Sequence, residues 1–131
     1  MEKRILNNAA PVTLKILIVD DEIDICYLLS GILKQKNYRT TFVNTLSDAQ
    51  LMLKKETPSL VFLDNHLPDG LGIDFIEHIK KNYPAIKIVM ITANDGSIDR
   101  QKAFAGGVDY FLGKPFTKEM IFRIVDMLTT K

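Results

Sequence analysis

From Leu14 onward, hydrophobic positions follow two alternating rhythms. Short unbroken apolar runs, Ile16-Leu17-Ile18-Val19, Leu60-Val61-Phe62-Leu63 and Ile88-Val89-Met90-Ile91, show no inside–outside alternation. Runs of that length suit strands buried on both faces of a parallel sheet. Val108 to Leu112 reads as a last strand, and Arg39 to Val43 as a shorter, more polar one suited to an edge. Between these runs the period becomes helical. Ile25, Leu28, Leu29, Ile32 and Leu33 form one stripe. Thr45-Leu46-Ser47-Asp48 offers caps for a second helix to about Glu56, which Pro58 ends. Pro68-Asp69-Gly70-Leu71-Gly72 is a turn cluster before a third helix with Phe75, Ile76, Ile79 and Tyr83 on one side, stopped by Pro84. A fourth helix, roughly Ser97 to Ala105, has only Ile98 and Phe104 as large apolar anchors, and Gly106-Gly107 ends it. Thr117 caps a final helix carrying Ile121, Ile124, Val125 and Leu128.

Alternating strands and helices predict an α/β fold: a five-stranded parallel sheet with right-handed crossovers and helices on both faces. The glycine-rich turn of a dinucleotide fold is missing, which favours the flavodoxin-like strand order 2-1-3-4-5. The outer strands in that order are the second and fifth, the two more polar ones. Residues 1–13 are polar and aperiodic and contain Pro11, so a short mobile extension is expected there, with one domain over 14–131.

Composition narrows the function classes. The 131 residues carry a net charge of +1 and no Lys/Arg-rich run, so nothing draws the chain toward nucleic acid or an anionic membrane. One cysteine, Cys26, excludes an internal disulfide or a multi-Cys metal site, and its place in a helical pattern marks it as a small buried hydrophobe. No apolar stretch is long enough to span a bilayer, and a cytoplasmic protein is the expectation.

The chemistry gathers at strand ends, where ligands sit in open α/β sheets. Asp20 and Asp21 follow the first strand, Asp64 ends the third, Thr92 ends the fourth and Lys114 follows the fifth. A single Asp there reads as a cap, but acids on adjacent strands repel by several kcal/mol at an intermediate effective dielectric. A cation must occupy such a site, or some acids must take up protons. Hard oxygen ligands suit Mg²⁺, and no His or Cys set favours zinc. A carboxylate can hold a phosphoryl group as an acyl phosphate, and phosphoryl transfer asks mainly for cationic stabilisation. Asp64, central in the strand order, is the best nucleophile candidate, with Asp20 and Asp21 for the metal, Lys114 for charge and Thr92 for a hydrogen bond.

With these residues in place, the chain closely resembles the response-regulator receiver domains of two-component signalling, from Leu14 to about Thr130. The motifs are Ile18-Val19-Asp20-Asp21-Glu22, Leu63-Asp64 with Pro68-Asp69-Gly70, Ile91-Thr92-Ala93, Gly107-Val108-Asp109 and Lys114-Pro115-Phe116. The resemblance implies that Asp64 accepts phosphate from a phosphohistidine on a sensor histidine kinase or histidine phosphotransfer protein. It implies Mg²⁺ held by Asp21, Asp64 and the backbone carbonyl of His66, with Asp20 acting through water. Lys114 would pair with the phosphoryl group, Thr92 would move to bond it, and the Lys114-Pro115 peptide would be cis. Phe111 takes the aromatic switch position, beside Tyr110. His66 and Asn94 fall where the family tunes phosphoryl lifetime, and His78 reads as solvated surface. Such a domain is a phosphoacceptor and not an enzyme. It signals through the face of the fourth helix, fifth strand and fifth helix to a downstream protein, to an output domain or to a second copy of itself.

Other classes fit less well. A flavodoxin needs a hydroxyl- and glycine-rich phosphate loop where this chain has Asp20-Asp21-Glu22-Ile23-Asp24. A haloacid-dehalogenase-type phosphatase needs Asp-x-Asp after the first strand and a cap, neither of which is evident. A degenerate receiver acting only in docking would not need the complete set of acids, Thr and Lys.

Overall fold

The computed structural model describes residues 13–93 and 99–130. The expected extension over 1–13 therefore lies almost wholly outside the described residues, as do Asn94 and the expected start of the fourth helix.

Five parallel strands form the main sheet: β1 (Lys15–Val19), β2 (Arg39–Val43), β3 (Leu60–Asp64), β6 (Lys87–Ala93) and β7 (Tyr110–Lys114), in the order β2-β1-β3-β6-β7. This is the predicted 2-1-3-4-5 topology. The labels shift because two short strands, β4 (His66–Leu67) and β5 (Gly70–Leu71), form an antiparallel hairpin where a plain turn was expected. Every residue of β3 is buried, because strands flank it and helices cover both faces.

Side chains alternate across the sheet and divide the core in two. Leu17, Val19, Val61, Leu63, Ile88 and Met90 pack under α2 (Leu46–Lys55), α3 (Gly72–Asn82) and α4 (Arg100–Gly106). Ile16, Ile18, Phe62, Val89, Ile91 and Leu112 pack under α1 (Ile23–Lys34) and α5 (Lys118–Thr129). Thr45 and Thr117 cap their helices as expected, accepting from the Asp48 and Met120 amides. The α1 stripe is rotated from the prediction. Cys26 is fully buried with Leu29, Ile32 and Leu33, whereas Leu28 faces solvent. Helical spacing alone does not say which edge of an apolar stripe meets the sheet.

Two boundaries also differ. The last strand runs Tyr110–Lys114 and not Val108–Leu112, because β6 extends to Ala93 and pairs Thr92 with Gly113 and Ala93 with Lys114. Val108 instead belongs to the turn after α4, where Gly107 adopts φ +111°, a left-handed cap. The helical residues of α4 begin at Arg100, with Asp99 as N-cap accepting from the Lys102 amide. Only Ala103 of α4 is buried, so the helix is weakly anchored as its composition implied. Phe104 is half exposed and lies over Phe111, with ring centroids 5.4 Å apart. His78, expected as solvated surface, is part-exposed, and its ring stacks on Phe75 at 5.1 Å.

Candidate functional site

Parallel pairing brings the reactive residues to one rim. Val19 pairs with Leu63 and Asp64 with Ile91, which sets Asp20 beside Asp64 and Thr92 one step beyond it. Asp20, Asp21 and Asp64 each present a carboxylate oxygen within 4.8 Å of the other two. Asp20 and Asp64 are buried, and Asp21 is open to solvent. The cluster thus has two acids in the floor and one at the mouth.

Backbone donors fix the floor. Asp20 Oδ1 accepts from the Glu22 amide at 2.9 Å, and Asp64 Oδ1 from the Asn65 amide at 2.9 Å. Asn65 is itself buried. Its side-chain oxygen accepts from the Ile73 amide and its carbonyl from the Gly72 amide at 2.7 Å, so it locks α3 to the end of β3. Glycine is required at position 72, since a Cβ there would sit 2.1 Å from the Asp64 carbonyl oxygen. On the other side, the Asn44 amide and the Cys26 thiol both donate to the Asp20 carbonyl, at 2.8 and 3.3 Å. Asn44 and Asn65 escaped the sequence reading, because lone amides carry no pattern, and Glu22 stood in a motif there without a role of its own.

Lys114 supplies the cation. Its Nζ lies 2.6 Å from Glu22 Oε1, 3.3 Å from Asp20 Oδ2 and 3.7 Å from Asp64 Oδ1. The contact to Asp20 is an ion pair, and among the described residues buried Asp20 Oδ2 has no partner with hydrogen-bond geometry. A buried, orphaned carboxylate oxygen beside two further acids is the donor set a hard divalent cation satisfies. Electrostatics agree. Burial, and then the charge of Asp20, push the Asp64 carboxyl up to about 7, while Lys114 and the Asn65 amide pull the other way. Burial likewise raises Asp20, against the Glu22 amide and Lys114. For Lys114 burial is the largest influence and lowers it, but the Glu22 hydrogen bond and the charges of Asp20 and Asp64 prevail and raise it. Cys26 is raised to about 11, by burial first and the Asp20 charge second, so it is an inert thiol here.

The remaining predicted residues lie around this centre. Thr92 is half-buried at the rim, with its hydroxyl donating to the Ala93 carbonyl at 2.6 Å and so turned onto its own strand. His66 opens the β4–β5 hairpin with its side chain exposed, two residues past Asp64. Phe111 points inward, with the Arg100 guanidinium 5.0 Å from its ring centre. The Lys114-Pro115 peptide is cis.

Residues 16–126 match the family described as the response regulator receiver domain. The chain belongs to that family. Among curated relatives, the phosphate regulon transcriptional regulatory protein PhoB of Escherichia coli K12 is 34% identical over 113 residues, which cover 84% of this chain and 49% of PhoB. The receiver domain thus spans about half the length of the curated relatives it matches. The solved receiver domain of NtrX from Brucella abortus superposes with a TM-score of 0.82 at 31% identity, covering 88% of this chain and 99% of that one. The beryllofluoride-activated NtrC4 receiver domain dimer gives 0.81 at 35% identity, covering 87% and 94%. No described helix is long and apolar enough to cross a membrane.

Proposed function

We propose that this receiver domain takes a phosphoryl group onto Asp64 from a phosphohistidine of a sensor histidine kinase or histidine phosphotransfer protein, and signals by changing its affinity for a partner. The observation that carries the reading is the position of Asp64: it is buried in the central strand, with two further acids within 4.8 Å and Lys114 at 3.7 Å. A carboxylate oxygen of Asp64 attacks phosphorus, a P–O bond forms, and the P–N bond breaks as the imidazole departs and takes up a proton. Attack needs the Asp64 anion, which burial and Asp20 disfavour. A Mg²⁺ ion held there would supply positive charge that favours the anion and offsets charge on the transferring oxygens. Asp20, Asp21, Asp64 and the His66 carbonyl are the groups to hold it, and Lys114 adds a fixed cation.

After transfer, Thr92 gives up its bond to the Ala93 carbonyl and donates to the phosphoryl oxygens, while His66 and Asn94 flank the group and set its lifetime against water. Phe111 is the aromatic that responds. It sits between Phe104 and Arg100 of α4, the helix with the fewest buried side chains among the described residues, where a small bias in energy moves an element. The α4–β7–α5 face is then the surface offered to a downstream protein, an output domain or a second copy of the chain. The domain acts as a cytoplasmic phosphoacceptor, with no substrate turnover beyond its own phosphorylation and dephosphorylation.

Beryllofluoride with Mg²⁺ tests the site by NMR. Amide shifts are expected around Asp64 and to spread over α4 and β7, and to vanish in Asp64→Ala. No response in the native protein, or the same response in the variant, contradicts the proposal.

A further inference from the structure

Lys114 Nζ is shared among three carboxylates, at 2.6 Å from Glu22, 3.3 Å from Asp20 and 3.7 Å from Asp64. Its one short hydrogen bond, 2.6 Å, goes to Glu22, whose side chain is 59% exposed, while buried Asp20 Oδ2 in the floor of the site has only the 3.3 Å ion pair and, among the described residues, no hydrogen bond. Among the described residues, Glu22 is the one partner of Lys114 that stands outside the three clustered acids. A hydrogen bond to Glu22 is not part of the scaffold either. Glu22 occupies the N-cap of α1 without a side-chain capping bond, and its backbone amide is already taken by Asp20. The carboxylate therefore has no structural duty apart from the ammonium.

We infer that Glu22 is a positioning residue for Lys114: a displaceable counter-ion that holds the ammonium at the mouth of the resting site and must release it when the phosphoryl group arrives. The inference rests on the reading of Asp64 as phosphoacceptor and adds a competitor to it. Charge appearing on Asp64 and charge fixed on Glu22 draw on the same cation, so Glu22 weakens the phosphorylated state relative to the resting one. A half-exposed ion pair is the suitable strength for this, strong enough to orient Lys114 and weak enough to exchange. The two residues lie at the start of α1 and the end of β7, so the pair is also a polar link between these two elements.

The test compares the native protein with Glu22→Gln, which removes the charge, and Glu22→Asp, which keeps the charge but withdraws it by one methylene. Mg²⁺ is held saturating for each variant by prior titration, and beryllofluoride affinity is read by NMR. The ¹⁵N signal of the Lys114 ammonium is followed in the resting proteins. Both variants are expected to bind beryllofluoride about two- to fivefold more tightly, the range for breaking a partly exposed ion pair, and both should move the resting Lys114 signal. Glu22→Asp behaving like the native protein would mean that only the general field of Glu22 matters, and overturns the inference. An unmoved Lys114 signal does the same. If the native protein binds no beryllofluoride, the phosphoacceptor reading itself falls, and this inference with it. Native binding with no gain in either variant removes the inference alone.

Discussion

Asp64→Asn should make the metal-free protein more stable, and the gain should depend on pH. Asp64 is only 5% exposed, and its carboxyl rises from 3.8 to about 7, by burial first and the Asp20 charge second. Roughly three pKa units at about 1.36 kcal/mol each give ~4 kcal/mol as the ceiling of what ionised Asp64 costs the fold. The Coulomb repulsion of two carboxylates no more than 4.8 Å apart is at least ~3.5 kcal/mol at an effective dielectric of about 20, so a shift of this size is reasonable. Because Asp20 shares the proton, about 2–4 kcal/mol is the expected gain. The sign follows from linkage. A carboxyl whose pKa is raised by folding binds more protons folded than unfolded, so its cost is absent below about pH 4, grows between pH 4 and 7 and is complete above 7. The amide oxygen of the substitute can still accept from the Asn65 amide, so no backbone group is orphaned. Thermal unfolding in chelator at pH 8 should show the variant higher by roughly 5–15 °C, with the gap closing toward pH 4. Added Mg²⁺ should narrow the gap by stabilising the native protein. A variant no more stable at pH 8, or a gap independent of pH, refutes the electrostatic argument.

Other substitutions probe the supports of the site. Gly72→Ala should lose about 3 kcal/mol or more in urea unfolding, because the new Cβ meets the Asp64 carbonyl at 2.1 Å. Phe111→Ala should cost about 3–5 kcal/mol and Phe104→Ala less than about 1 kcal/mol, since only the former ring is buried; equal losses would contradict the packing described. Asp109→Ala should cost about 1–3 kcal/mol, because Asp109 Oδ2 accepts from both Lys80 Nζ at 2.9 Å and the Ile88 amide at 2.8 Å. Amide exchange at Ile88 should quicken in that variant.

What could be read from the chain follows from how far apart the interacting residues lie. Strands such as Leu60–Asp64 were visible because burial on both faces demands an unbroken apolar run, and Thr45 and Thr117 were visible because capping acts within one turn. That the acids, Thr92 and Lys114 are neighbours was legible because parallel strands end at one rim. Long-range detail was not. The Glu22–Lys114 bond joins residues 92 apart in sequence, and the Asn44 bond to the Asp20 carbonyl joins residues 24 apart. Neither has a local signature. The outward face of Leu28 and the stacking of His78 on Phe75 depend on how a helix is rolled against the sheet, which its period leaves free within one residue. The two-residue shift of the last strand arose in the same way: pairing with the extended β6, and not the hydrophobicity of Val108, decides where β7 lies.

Phosphorylation of Asp64 is the central claim, and intact-mass spectrometry tests it directly. The native protein is incubated with acetyl phosphate, with and without Mg²⁺, beside Asp64→Asn. The account predicts the mass of one added phosphoryl group only with Mg²⁺, carried on the peptide that contains Asp64 and absent from the variant. A phosphoryl group on another residue, one gained equally without Mg²⁺, or none in the native protein would contradict it.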